Sequence, residues 1–187
     1  LSPLGHQPMT YRDSGLWIVF NGEIYNFLEI RTELESKGYR FCSDSDTEVI
    51  LGAYLEWGKS AFTKFNGMWA FALYDENRKE LLLCRDRYGI KPLYYRLDKQ
   101  QLVFGSEYKV FWAIADKLSL SWDLRGIKTA LGSAFQLESS GFTLLEKVQN
   151  LLPGSYLVAN EAGIEVHQWW RTLDHLVEVP ATIEEQT

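Results

Sequence analysis

The stretch MWAFALYDENRKELLLC, residues 68–84, constrains the fold of this chain more than any other. Two apolar runs flank the polar segment 75–79, a pattern that predicts a β-hairpin. The first run, residues 68–74, barely alternates between apolar and polar side chains, so we expect both faces of its strand to be buried. Such a strand belongs to a sheet that helices cover on one side and a second layer covers on the other.

Other elements are predicted on either side of this hairpin. An apolar run at 16–20 predicts a strand. Capping boxes at Asn26 with Glu29 and at Ser45 with Glu48 predict the starts of two helices, and Gly38 and Gly58 their ends. Further along, the patterns predict strands at 93–96 and 101–104, helices after a Ser106 cap and at 125–134, and a last hairpin from 155–159 and 164–169. We therefore expect one α+β domain.

Length and composition exclude several classes of protein. With 187 residues, 46% hydrophobic content and seven Trp, the chain is long and apolar enough for a packed core, which argues against a disordered protein. A net charge of −6, with no cluster of Lys and Arg, argues against binding to nucleic acid. No apolar run approaches the ~18 residues of a membrane span and no signal pattern opens the sequence, so we expect a cytoplasmic protein.

A polar step, Asn21-Gly22-Glu23, follows the apolar run 16–20. The Asn21 side chain and a neighbouring backbone amide can direct two N–H donors at one point, which is what an oxyanion hole for acyl transfer requires. Gly22 has no Cβ and would let a ligand approach the backbone closely. Asn-Gly is also a common hairpin turn. These residues leave both alternatives open, although a helix and not a returning strand is predicted next.

A second polar cluster, Asp44-Ser45-Asp46, lies at a predicted helix start. The helix dipole favours carboxylates there, so they could serve as caps and nothing more. A carboxylate in that place could instead bind the ammonium group of an amino-acid substrate. The sequence pattern does not decide between the two.

Other polar and sulfur-containing residues point to structure and not to chemistry. Arg85, Asp86 and Arg87 predict an ion-pair network at a sheet end. Cys42 and Cys84 have no Cys-x-x-Cys spacing, so we expect two buried thiols and neither a disulfide scaffold nor a zinc site. The three histidines have no metal-ligand spacing, and no metal site is predicted.

Several stretches together carry a family resemblance. They are FNGEIYNFLEIRTELESKGYRFCSDSDTEVIL, FNGMWAFALYD, RDRYGIKPLYY, FGSEYK and LLPGSYL. In this order they resemble the motifs of the class II glutamine amidotransferase domain of glutamine-hydrolysing asparagine synthetases. The resemblance covers residues 5–170 and is less specific for the product, because related amidotransferases share this domain. It implies an N-terminal-nucleophile hydrolase fold, a four-layer α/β/β/α sandwich with two antiparallel sheets, here lacking its first strands.

The resemblance also implies a reaction. In that family an N-terminal cysteine attacks the side-chain amide of glutamine, its own α-amino group acts as the base, and ammonia leaves for a second domain. Carried over by motif, Asn21 and Gly22 would form the oxyanion hole. Glu23 and Asp46 would hold the amino-acid end of glutamine, and the neighbours of Asp46 would only shape that site.

The chain departs from the family pattern near its first residues. It begins Leu1-Ser2-Pro3, without the N-terminal cysteine or the Arg-Leu-Ser stretch whose arginine binds the glutamine carboxylate. Cys42 and Cys84 match no catalytic position. We therefore expect a fragment: an N-terminally truncated amidotransferase domain at 1–175 and the start of a linker at 176–187, inactive on glutamine by itself.

The expected partners and cofactors follow from the same resemblance. The Ser-Gly-Gly-x-Asp-Ser signature of an ATP-pyrophosphatase is missing, so ATP and Mg are expected only in a C-terminal synthetase domain outside this sequence. Glutamine is the expected substrate, and a homodimer stays open. The alternative is a natural protein that kept the scaffold and lost the nucleophile, a non-catalytic module that binds glutamine or a partner protein.

Overall fold

A computed structural model of the chain describes residues 5–99 and 101–176, apart from the side chains of residues 134, 135 and 138. The predicted linker at 176–187 therefore lies, except for its first residue, outside the described residues. No helix within the described ranges has the length and apolar character to cross a bilayer.

Helices and strands mix along the chain. The described α-helices are α1 (Phe27–Ser36), α2 (Asp46–Trp57), α3 (Ala61–Lys64), α4 (Lys109–Trp112), α5 (Leu124–Gly132) and α6 (Ala134–Ser140). The described strands are β1 (Met9–Thr10), β2 (Leu16–Ile24), β3 (Gly67–Asp75), β4 (Glu80–Arg85), β5 (Tyr94–Asp98), β6 (Gln101–Gly105), β7 (Gln149–Asn150), β8 (Ser155–Asn160) and β9 (Gly163–Gln168). Short 3₁₀ turns follow α2 and β9, at Gly58–Ser60 and Thr172–His175.

The strands form two antiparallel sheets. The large sheet has the order β1-β2-β3-β4-β8-β9, and the small sheet has the order β6-β5-β7. The β3–β4 and β8–β9 pairs are the hairpins that the sequence predicts. Both predictions are therefore confirmed.

Apolar clusters separate four layers in the described chain. Phe62 belongs to the cluster between the large sheet and helices α1 to α3. Leu93 and Leu157 belong to a cluster between the two sheets. Phe111 of α4 packs with Val103 on the outer face of the small sheet. The layers are thus helix, sheet, sheet and helix, which confirms the predicted four-layer sandwich with two antiparallel sheets.

Strand β3 lies at the centre of this arrangement. Trp69, Phe71 and Leu73 face the helices, while Ala70 and Ala72 face the small sheet. All five are almost fully buried. The small alanines suit the narrow space between two sheets, and the large side chains suit the wider space under helices. The prediction that both faces of this strand are buried is confirmed.

Helix α1 is present, but its predicted capping box is wrong. The Asn26 side chain makes no cap hydrogen bond. Instead its Nδ2 donates to the carbonyl of Lys64 at 3.0 Å and its Oδ1 accepts from the amide of Asn66 at 2.8 Å. A tertiary contact with the loop before β3 therefore takes the place of the cap. Gly38 does end the helix, with a positive φ of 98° and its amide bonded to the carbonyl of Glu35.

Helix α2 has the predicted cap, but not the predicted box. Ser45 Oγ accepts from the amide of Thr47 at 3.2 Å. The buried Glu48 carboxylate reaches further back than Ser45, and accepts from the amides of Cys42 and Ser43. It thereby fixes the segment that leads into the helix.

Candidate active site

The polar step lies inside strand β2 and not after it. The strand continues to Ile24, with Asn21 opposite Ala70 and Gly22 opposite Trp69. The prediction of a strand ending at residue 20 is wrong in its boundary, and the hairpin-turn alternative for Asn-Gly is wrong as well. Because side chains alternate along a strand, Asn21 and Glu23 lie on the face toward the small sheet and Gly22 on the face toward the helices.

The backbone N–H of Gly22 is directed away from β3. The N–H of Trp69, opposite Gly22, donates to Asp86 Oδ2 at 3.1 Å. The C=O of Trp69 accepts from the backbone amide of Asp86 at 2.8 Å. Gly22 and Trp69 therefore form a pair without mutual hydrogen bonds, and the N–H of Gly22 points to the other side of β2. Strand β1 stops short of this place, because its register ends at Ile18.

Neighbouring N–H groups on that side of β2 already have acceptors. The amide of Phe20 donates to Gln7 Oε1 at 2.6 Å, and the amide of Ile24 donates to Asp46 Oδ2 at 3.0 Å. Gly22 lies between them, about 7 Å along the strand from each. In the described part of the chain no acceptor is found for its N–H. This leaves one backbone donor available to a bound oxygen atom, as the oxyanion-hole hypothesis requires.

The backbone of β3 leaves no space for a side chain at Gly22. A Cβ at this position would lie 2.2 Å from the carbonyl oxygen of Met68 and 2.6 Å from Trp69 Cα, and φ is +153°. Gly67 has the reciprocal constraint, since its Cβ would lie 2.1 Å from the carbonyl oxygen of Glu23. The interpretation that Gly22 makes room for a ligand stays a prediction. The close approach here is made by the neighbouring strand.

The Asn21 side chain reaches the small sheet. Its Nδ2 donates to Ser106 Oγ at 3.1 Å, across 85 positions of sequence. Ser106 does not cap a helix, because the residue before α4 is Tyr108 and makes no side-chain cap bond. The sequence prediction for Ser106 is wrong, and its link to Asn21 has no signal in the sequence. Both residues line a cavity of about 200 Å³ between the sheets, whose walls include Ala70 and Phe104.

The Asp46 carboxylate lies at the end of β2. It is held by the amide of Ile24 at 3.0 Å and by a long contact of 3.5 Å from Thr47 Oγ1. Because Ser45 caps α2, Asp46 is not needed as a cap. Glu23 precedes Ile24 in sequence, and its side chain is exposed and has no ion pair with any described residue. The Asp46 carboxylate in this place can attract an ammonium group.

The loop after β4 is organised mainly through the backbone. The buried Asp86 carboxylate accepts from four amides, those of Trp69, Tyr88, Ile90 and Lys91. Arg85 donates to the carbonyls of Lys91, Gly89 and Leu151, and Arg87 donates to those of Phe65 and Thr63. These side chains thus tie loops together beside β3, mostly through backbone groups, and the predicted ion-pair network stays a prediction.

Neither cysteine is placed as a nucleophile. Cys84 is fully buried in the core under the helices, and this burial raises the pKa of its thiol well above the ordinary value. Cys42 is exposed, so the expectation of two buried thiols is wrong for Cys42. It lies in the segment that Glu48 fixes and not in the cavity beside Asn21.

Thiol labelling should separate the two cysteines. At pH 8 the neutral, buried Cys84 should resist iodoacetamide while Cys42 reacts, because the thiolate is the nucleophile and needs access to the reagent. Mass spectrometry is expected to find one adduct on the native chain and two after denaturation. Rapid modification of Cys84 in the native chain would contradict its placement in the core.

Comparisons with known proteins agree with this geometry. Residues 1–170 match the family model described as a glutamine amidotransferase domain. Asparagine synthetase (glutamine-hydrolyzing) 1 of Bacillus subtilis is 40% identical over 159 residues, which are 85% of this chain and 24% of that protein. Amidase chry2 of Gibberella zeae is 35% identical over 172 residues, which are 91% of this chain and 24% of that protein. The chain thus spans about a quarter of the length of these curated relatives.

A solved structure agrees with the fold. Glutamine phosphoribosylpyrophosphate amidotransferase from Bacillus subtilis superposes with a TM-score of 0.64 at 19% identity, over 88% of this chain and 32% of that one. At this level of identity the likeness concerns the fold alone. It agrees with the four-layer sandwich with two antiparallel sheets predicted from the motifs.

Proposed function

Because the chain belongs to the glutamine amidotransferase domain family, we propose that it is the glutaminase part of a glutamine-hydrolysing asparagine synthetase. One observation carries the proposal. Asn21 carries a side-chain amide, and among the described residues no acceptor is found for the N–H of Gly22, the next residue. The exposed Glu23 follows in sequence, and the Asp46 carboxylate accepts from the amide of Ile24. Donors for an oxygen anion and acceptors for an ammonium group thus occur together, as hydrolysis of an amino-acid amide requires.

The residues of this chain would act on both ends of glutamine. When a thiolate attacks the side-chain amide carbon, the C=O π electrons move to oxygen, and Asn21 Nδ2 and the Gly22 N–H would stabilise that anion. Collapse of the adduct breaks the C–N bond, the nitrogen takes a proton and leaves as ammonia, and a thioester remains. Water then attacks the thioester carbon, and a second tetrahedral intermediate collapses to glutamate and the free thiol. Glu23 and Asp46 would hold the substrate ammonium throughout.

In this proposal the attacking thiol and the second half of the reaction come from outside the 187 residues. Burial keeps Cys84 from the cavity, and Cys42 lies in another segment. The relatives are about four times as long as the matched region, which leaves room for a domain that would use ATP and Mg to convert aspartate to asparagine with the released ammonia.

Extension of the chain to its natural start tests the proposal. The gene should encode a cysteine directly after the initiator methionine. The extended protein should release glutamate and ammonia from glutamine at a rate typical of enzymes, on the order of 1 s⁻¹ or more. The 187-residue chain should be inactive, because its oxyanion donors have no nucleophile to serve.

The alternative, a non-catalytic module, predicts another result. An upstream sequence without that cysteine would contradict the enzymatic proposal. Calorimetry of the natural chain would then decide what remains. Binding of glutamine would favour a glutamine-binding module, and no binding would favour a scaffold for a partner protein.

A further inference from the structure

Asn21 has one defined polar partner among the described residues, and it belongs to the other sheet. Its Nδ2 donates one hydrogen to Ser106 Oγ at 3.1 Å, and an amide nitrogen carries two. The second hydrogen remains for a ligand. The terminal torsion of asparagine is broad and weakly restricted by its own backbone, so this hydrogen bond is what sets the plane of the amide.

The position of Ser106 is itself well fixed. It directly follows β6, where Phe104 packs in the cluster between the sheets. A Cβ on Gly105 would lie 2.7 Å from Val110 Cγ2, so α4 packs directly against the end of β6. Next along the chain, the ring of Tyr108 stacks on Tyr94 with centroids 4.5 Å apart. The small sheet and α4 together hold the Ser106 backbone.

The Ser106 hydroxyl has no competing structural task in the described chain. It does not cap α4, and Asn21 is the partner found for it. Ser106 is half-buried at the wall of the cavity that Asn21 also lines. The Ser106 hydroxyl therefore lies where it can orient the Asn21 side-chain amide.

We propose that Ser106 is a positioning residue for the oxyanion hole: by accepting one hydrogen of the Asn21 amide, it directs the other hydrogen at the substrate oxygen. This inference rests on the proposed glutaminase function. Asn21 lies on the large sheet, and Ser106 follows the last residue of β6 in the small sheet. The distance between the two sheets should therefore influence kcat.

The test uses the natural full-length protein and compares Ser106→Ala, which removes the hydroxyl, with Ser106→Thr, which keeps it. Asn21→Ala is the second mutation of a double-mutant cycle. Loss of one neutral hydrogen bond should lower kcat for glutamine hydrolysis by about 3- to 10-fold in Ser106→Ala. KM should stay within about twofold, because the oxyanion forms only in the transition state. Ser106→Thr should keep most of the rate. Ser60→Ala, at an exposed position without a cap bond, is the matched control and should leave turnover unchanged.

The cycle gives the decisive result. With alanine at position 21, Ser106→Ala should have no further effect, because it acts only through that side chain. An equal loss in both backgrounds, or no loss in either, would overturn the positioning role. If Asn21→Ala alone leaves turnover unchanged, the oxyanion hole itself is wrong, and the proposed function fails separately from this inference.

An aldehyde analogue of glutamine supplies a second measurement, independent of turnover. A thiol adds to the aldehyde to form a tetrahedral adduct, whereas glutamate binds without one. Ser106→Ala should weaken inhibition by the aldehyde by the same factor as kcat and leave inhibition by glutamate unchanged. Equal weakening of both inhibitors would indicate general disturbance of the pocket and would overturn the proposal.

Discussion

Replacement of Asn21 by alanine in the natural full-length protein is expected to lower kcat for glutamine hydrolysis by about 10²- to 10³-fold, with little change in KM. This is the usual loss when one donor of an oxyanion hole is removed. The Asn21 side chain is exposed at the cavity and contacts Ser106 across it, so the fold should tolerate the change. Steady-state kinetics with glutamate detection, together with a thermal unfolding curve, measure both quantities.

The matched control is Asn160→Ala, in the exposed turn between β8 and β9. There the amide oxygen accepts a local bond from Ala162, far along the chain from the site. Its kcat should stay within about twofold of the parent, as surface changes usually do. A loss for Asn21→Ala that appears in KM and not in kcat would assign Asn21 to substrate binding and reject its role as an oxyanion donor.

Gly22→Ala is expected to have the largest effect on stability of any single change in the site. The new Cβ would lie 2.2 Å from the carbonyl oxygen of Met68 and 2.6 Å from Trp69 Cα, and backbone atoms in a central strand cannot move without loss of pairing. We expect the free energy of unfolding to fall by about 3 kcal/mol or more. For a chain of this size, that lowers Tm by roughly 6–12 °C.

Two other glycines separate the steric contribution from the conformational one. Gly132→Ala has nothing within 4 Å of the new Cβ, and Gly163→Ala has open space but a φ of +133°. The first should be nearly neutral and the second should show only the cost of strained φ, about 1 kcal/mol. If Gly22→Ala costs no more than Gly163→Ala, the close approach of β3 is not what requires the glycine.

Much of the fold is predictable from apolar patterns in the sequence. The unbroken run at 68–74 predicts a strand buried on both faces, and the polar segment after it predicts the hairpin, because these signals are local and strong. Boundaries are less predictable. Strand β2 continues through Asn21 to Ile24 because pairing with β3 satisfies its backbone, and the identity of those residues carries no sign of that pairing.

The candidate site divides in the same way. Motif resemblance predicts site roles for Asn21, Gly22, Glu23 and Asp46, and the structure places Asp46 at the amide of Ile24. The pairing of Asn21 with Ser106 could not be predicted, because their contact spans 85 positions and serine before a helix is equally typical of a cap. The capping boxes at Asn26 and Glu48 are wrong for a related reason. The Asn26 side chain bonds to the distant loop before β3, and the Glu48 carboxylate bonds to amides that precede Ser45.

The short β1 has a consequence for association with other chains. A free strand edge normally offers a row of donors and acceptors that can pair with another protein and seed aggregation. Along β2, side chains already occupy the N–H groups of Phe20 and Ile24, so an incoming strand would find two of three successive donors taken. Only the N–H of Gly22, between these two, has no acceptor among the described residues. Pairing with a second chain along this stretch is therefore disfavoured, whereas one oxygen atom of a small ligand could still accept from Gly22.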